Sequence, residues 1–282
     1  MDITGWATQV SNLDAFKPWL PVMGFFLVLI ILWVGMLLLI QLVLFIISCV
    51  KHDLSFSNAV DKSVAGFKKY YIKFFHYYVP IIVITLVLSF IAIMLPFSGT
   101  FMKIGMLALS FVLAVIQGTY FFVVDTSLAK SYYLSLKGKK FVFMWMSGYQ
   151  FVKLFAVGLI LLALFIPSLL LLGIPFLFIG YIMPFVRYPI IVEDLGVIES
   201  IQKAFGLLRK RFWDMVFFTS MYGFLLFAVY LGLGMVFGLF ELIPYVGAIF
   251  QGVRSIITMV VVQPFGTILF TEMFYAVEKS IR

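Results

Sequence analysis

The sequence predicts an all-α integral membrane protein: seven transmembrane helices, three amphipathic helices at the cytoplasmic interface, and three pseudo-repeats. Three observations carry that expectation. Apolar runs long enough to cross a bilayer recur along the chain. Lysine and arginine gather in alternate connecting segments. A short acidic motif returns three times, as Asp53-Leu54-Ser55-Phe56, Asp125-Thr126-Ser127-Leu128 and Asp194-Leu195-Gly196-Val197, its aspartates 72 and 69 residues apart.

The apolar runs dominate the composition. Hydrophobic residues make up 64% of the chain and charged residues 11%, whereas soluble domains average about half apolar and roughly a quarter charged. A span needs about 20 apolar residues. Seven can be drawn, at roughly 20–50, 77–97, 101–124, 150–172, 174–192, 213–240 and 246–275. Residues 1–19 lack a basic start and the run 20–50 is too long for a signal core, so it is expected to stay as a span. No polar stretch is long enough to fold separately, and residues 1–282 read as a single membrane domain.

Orientation follows from the cations. Seventeen of the Lys and Arg residues fall on one side of this topology and three, Lys17, Lys103 and Arg254, on the other. The basic side is expected to be cytoplasmic. The N-terminus is then outside and the C-terminus inside a multi-pass cell (plasma) membrane protein.

The motif divides the chain after the first span into units at about 53–124, 125–193 and 194–282. Each aspartate stands where it could cap a helix. Phe56, Val60, Val64 and Phe67 share a helical face after the first, and Val197, Ile201, Phe205 and Leu208 after the third. Small residues recur four apart at Ala59/Ser63, Ser131/Ser135 and Ser200/Ala204. Helices are expected at 54–73, 127–143 and 196–212, lying in the interface with cationic ends beside aromatics. Those ends supply the candidate lipid- or partner-binding residues: Lys68, Lys69, Lys139, Lys140, Arg209, Lys210, Arg211 and Trp213. Anionic lipid on the cytoplasmic side is the expected partner, with other membrane proteins as further candidates. The positive-inside rule accounts for the basic side without nucleic acid.

The stretch 189–205, opening Pro189-Ile190-Ile191-Val192-Glu193-Asp194 and running on to Arg211-Phe212-Trp213, resembles a signature of certain prokaryotic multi-span proteins. They include the membrane region of membrane-bound glycerophosphodiester phosphodiesterases and related uncharacterised families. The segment from Gln263-Pro264-Phe265 to Thr271-Glu272-Met273-Phe274-Tyr275 is similar to that group's final span. The resemblance implies a fold and carries over no catalytic residue, because the soluble barrel domain that performs the phosphodiesterase chemistry is not in this sequence.

Polar residues inside the spans are the remaining candidates. Gln117, Pro184, Gln263 and Pro264 could line a pathway, and Glu241 and Arg254 could pair at the outer surface. Gly234 and Gly238 form a GxxxG motif, expected to serve packing within the chain. Cys49 is expected to be buried; His52 and His76 have no metal-ligand spacing, and no phosphate loop or nucleophile motif occurs. No cofactor or metal is called for. The inventory favours a non-enzymatic accessory or scaffold for lipids or partner membrane proteins, with a transporter or lipid-moving protein as the alternative.

Overall fold

A computed structural model describes residues 20–95, 99–170, 174–243 and 246–281. Among them the chain is helical, with no strand. The helices are α1 (Leu20–Lys51), α2 (Phe56–Phe75), α3 (Val79–Met94), α4 (Thr100–Leu136), α5 (Gly148–Leu170), α6 (Ile174–Glu193), α7 (Val197–Lys210), α8 (Phe212–Glu241), α9 (Val246–Ile257) and α10 (Gln263–Lys279). Among the described residues five stretches are long and apolar enough to cross a membrane: Val22–Lys51, Phe56–Met94, Thr100–Leu136, Phe212–Phe240 and Val246–Lys279. Gly148–Leu164 is a shorter apolar helix. The junction between the spans expected at 150–172 and 174–192 lies partly outside the described residues.

The helix boundaries have local causes, and they correct the expected caps. Ser55, not Asp53, caps α2, its hydroxyl accepting the Asn58 amide at 3.3 Å. Gly196, not Asp194, opens α7, and the Glu199 carboxylate accepts the Gly196 amide at 3.0 Å. Asp194 has φ 56°, a left-handed conformation that Asp and Asn tolerate. Asp125 lies inside α4 and caps nothing. Before α10, residues Thr258–Val262 form a π turn. Pro264 lacks an amide and its ring presses on the carbonyl four residues back; the wider turn makes room for it.

The second expected interfacial helix does not form as a separate element. The 37 residues of α4 would extend about 56 Å at ~1.5 Å per residue, well past the ~30 Å hydrocarbon layer. Neither Gly nor Pro interrupts it between Thr119 and Leu136, so the helix runs through Asp125 without a break. It stops at Gly138, φ 82°, where the Gly138 amide reaches the Ser135 carbonyl at 3.1 Å and the Lys139 amide reaches Leu134 at 3.1 Å. That is the Schellman pattern. Residues 139–147 then return along α4 in non-helical form. Ser131 and Ser127 accept the Met144 and Met146 amides at 2.7 and 2.8 Å.

The core is built on α10. Pro264, every residue from Gly266 to Phe274, Val277 and Glu278 are buried. Around it pack α2, α4 and α8. Ala59, Ser63 and Gly66 are buried along α2, small enough to let the two helices approach closely. A Cβ on Gly66 would collide with the Tyr132 ring and hydroxyl of α4. Tyr188 of α6 stacks on Phe274 at 4.3 Å. Gly234 and Gly238 face open space, with no atom within 4 Å of an added Cβ, so the GxxxG motif does not pack internally among the described residues. Cys49 is exposed on α1 rather than buried.

Candidate functional site

Three helices bring a chain of polar groups together beside α10. On α4, Asp125 accepts a hydrogen bond from the Thr267 hydroxyl at one carboxylate oxygen and from Arg187 Nη1 of α6 at the other, 3.3 Å away. Arg187 Nη2 donates to the Tyr188 hydroxyl at 3.2 Å. That hydroxyl lies 3.0 Å from the Thr271 hydroxyl, which donates to the Thr267 carbonyl at 2.7 Å. The chain terminates on backbone, while the buried Arg187 Nε has no acceptor among the described residues. Glu272, next to Thr271 on α10, accepts from Tyr132 at 2.7 Å, and Glu278, about two turns further along, accepts from Tyr133. Buried charges persist only when paired and hydrogen-bonded, and here the partners come from separate helices.

All three motif aspartates hold cations. Asp53 meets Arg211 at 2.9 Å, Asp125 meets Arg187, and Asp194 meets Lys153 at 3.0 Å. Buried Asp214 accepts the Asp53 and Leu54 amides at 2.9 and 3.0 Å, fixing the turn between α1 and α2 to the start of α8. Lys153 also donates to the Asp194 carbonyl at 2.9 Å. Gln150 donates to the Ile190 and Ile191 carbonyls at 3.4 and 3.2 Å and accepts from Lys130 at 3.2 Å. The orphan carbonyls at the end of α6 are thus satisfied by α5. The sequence shows the acids but not their cations, which lie 41 to 158 residues away.

The expected binding residues divide into two groups. Lys68, Lys69, Lys139, Lys140, Arg209 and Lys210 are exposed. Tyr70 stacks on Phe141 at 4.3 Å and carries Lys69 and Lys73 over its ring at 5.2 and 5.5 Å, which sets the end of α2 beside Lys139 and Lys140. Arg211 is engaged internally, by Asp53, by Asp214 at 3.5 Å and by the Ser280 carbonyl at 3.2 Å. Trp213 is half-buried under the Lys51 ammonium, 5.1 Å from its ring centroid.

The pathway residues are also partly assembled. Gln117 is buried and donates to Thr85 at 2.6 Å and to Met259 Sδ at 3.3 Å. Gln263 donates to the Tyr230 hydroxyl at 2.8 Å. Arg254 and Tyr230 line one cleft and Gln117 an adjoining one. Pro264 is buried in the core, while Pro184 lies on α6, away from these clefts. The Glu241 side chain lies outside the described residues, so its expected pairing with Arg254 does too.

Among the described residues no three His, Cys, Asp or Glu side chains converge as metal ligands. His52 stacks on Phe217 at 3.7 Å and shares a hydrogen bond with the Ser48 carbonyl at 2.8 Å. Sequence reading missed the polar face of α10, although Thr267 and Thr271 stand four apart in an otherwise apolar stretch, which is a legible signal. No protein family model matches the chain, and no curated protein or solved structure matches it.

Proposed function

We propose that the protein is a non-catalytic multi-span membrane protein that gathers anionic lipid, or partner membrane proteins, at its basic end. The observation that carries this reading is the group of exposed cations, Lys68, Lys69, Lys139, Lys140, Arg209 and Lys210, set beside aromatic side chains. Each cation near an anionic surface contributes about 1 kcal/mol. In this reading the chain crosses a cell membrane seven times, with the basic end cytoplasmic and the N-terminus outside. The three units form a repeat whose amphipathic elements α2 and α7 lie along the interface. Their buried small residues, Ala59 and Ser63 in one and Ser200 and Ala204 in the other, support a common design. Replacing the six cations by Gln should abolish the preference of the purified protein for phosphatidylglycerol over phosphatidylcholine in a vesicle-flotation assay. An undiminished preference would defeat the reading.

Movement of a solute or lipid through the bundle is the second reading. It is favoured by the meeting of Gln117 and Arg254 at adjoining polar clefts. Reconstituted protein that moves a lipid between leaflets, and loses that movement on Gln263→Leu, would replace the first reading with this one.

A further inference from the structure

A groove of about 520 Å³ runs between α4 and α5. Both helices pack along α6, and among the described residues they make few contacts with one another. A gap is left between them, with Met183 of α6 also in its lining. Gly118 and Thr119 line it on α4, and Gly158 and Leu162 on α5. Phe122 and Phe151 meet edge to face at 6.0 Å and mark one end. The two glycines keep the walls open: an added Cβ at Gly118 or Gly158 would meet nothing within 4 Å.

Size decides what can lie there. Leu162 follows Phe151 by 11 residues on α5, roughly 16 Å at ~1.5 Å per residue. Spread over that length, 520 Å³ gives a cross-section of roughly 30 Å², well under the ~80 Å² of a helix about 10 Å across. A partner helix is too wide for it, and a single hydrocarbon chain is not. The length is about half of the ~30 Å hydrocarbon layer, the share that one leaflet fills. Left void, the groove would forfeit dispersion contacts on all three walls.

Charge sets the direction. No charged residue lines the groove among the described residues. Gln150, next to Phe151, accepts from Lys130 at 3.2 Å, and Lys139 and Lys140 further along are exposed. The cations therefore lie past the Phe122–Phe151 end, where a lipid headgroup would meet them, while the chain below it would run between apolar walls.

We propose that this groove seats one acyl chain of a glycerophospholipid, with the headgroup toward the basic end. The seat selects by chain and not by headgroup charge, because its walls are uncharged. It rests on the reading that the basic end faces one leaflet, and it does not require that anionic lipid be preferred there.

The test uses the full chain in phosphatidylcholine nanodiscs doped with a phosphatidylcholine that carries a diazirine midway along one acyl chain. Crosslinks in the unaltered protein should concentrate at residues 118–122 and 151–162, above the level on the exposed stretch 22–32 of α1. Gly158→Leu and Gly118→Leu each place a side chain in the open groove and should remove most of that labelling while leaving α1 unchanged. The variant with the six basic-end cations changed to Gln should keep the labelling, so this proposal and the preference for anionic lipid fail separately. Its loss there would show that headgroup charge selects, and would overturn the proposal. Equal labelling of groove and α1 would reduce the occupant to ordinary surrounding lipid, and undiminished labelling in both Leu variants would place it elsewhere; either result overturns the proposal. So would a disulfide joining two copies of the Cys49→Ser, Leu162→Cys protein, which would make the occupant a second chain. Should both Leu variants fail to elute as the parent does on gel filtration, the comparison of groove with α1 in the unaltered protein decides.

Discussion

The two ends of the bundle are held by different physics. At the basic end, neighbouring helices are tied by charged or hydrogen-bonded side chains: Arg211 to Asp53 and Asp214, Lys153 to Asp194, Gln150 to the end of α6, Tyr132 to Glu272. Toward the other end the contacts become mainly apolar and aromatic, as in the Phe240–Phe250 stack at 4.6 Å. There α1 leaves its neighbours, and every large apolar side chain described from Val22 to Leu32 is exposed. Lipid is as apolar as those side chains, so burying them against another helix gains little. Polar bonds and close packing are what fasten helices in such surroundings, and the ion pairs between Asp53, Asp125 and Asp194 and their cations add to them at the basic end.

The sharpest way to break that contrast is to remove one charge from the tied end. Arg187→Leu removes the cation paired with Asp125 and leaves Thr267 as its hydrogen-bond donor among the described residues, and should destabilise the fold by about 3–5 kcal/mol. Thermal unfolding in detergent reads the loss, and adding Asp125→Leu should restore much of it. If the single change is neutral, the pair does not hold the helices.

Paired glycine changes come next in size. Gly66→Ala drives a methyl into the Tyr132 hydroxyl and disturbs its bond to Glu272. A loss of about 1–3 kcal/mol is expected, as for other overpacked sites. Gly158→Ala, where an added Cβ meets nothing within 4 Å, should stay within about 0.5 kcal/mol of the parent. Equal effects in the same unfolding assay would erase the difference between the ends.

The smallest expected effect separates two accounts of one turn. Because Glu199 rather than Asp194 secures the start of α7, Glu199→Ala should loosen it by about 1 kcal/mol. Asp194→Gly removes the Lys153 pair yet suits the positive φ, and should leave hydrogen exchange at residues 197–201 unchanged. Faster exchange in Asp194→Gly alone would return the cap to Asp194.

Helix type and position were legible because hydropathy and length set them: the runs expected near 20–50, 213–240 and 246–275 appear within α1, α8 and α9–α10. The motif was legible as a pattern and illegible as a role. One short acid-x-small-apolar string begins a helix after Ser55, runs through the middle of α4 at Asp125, and precedes a glycine start at Gly196. Local sequence does not distinguish these cases; the stop at Gly138 does. Ser131 was legible as one of two small residues four apart and Ser127 as part of the acidic motif, yet both serve the amides of a returning segment, a partner that no periodicity announces. The same holds for Arg211, a surface cation by its neighbours in sequence and an internal clamp by its neighbours in space.

The burial of α10 has a consequence for biogenesis. A chain leaves the ribosome N-terminal part first, and α10 follows in sequence every helix that packs on it. Until it arrives, Asp125 and Tyr132 on α4 lack Thr267 and Glu272, the partners they bond. The early helices must therefore wait in the bilayer as a loose, partly polar set, open to chaperones and quality-control proteases. Interrupting synthesis before Gln263 should leave inserted but unassembled chains, so assembly is timed by the last helix rather than by the first.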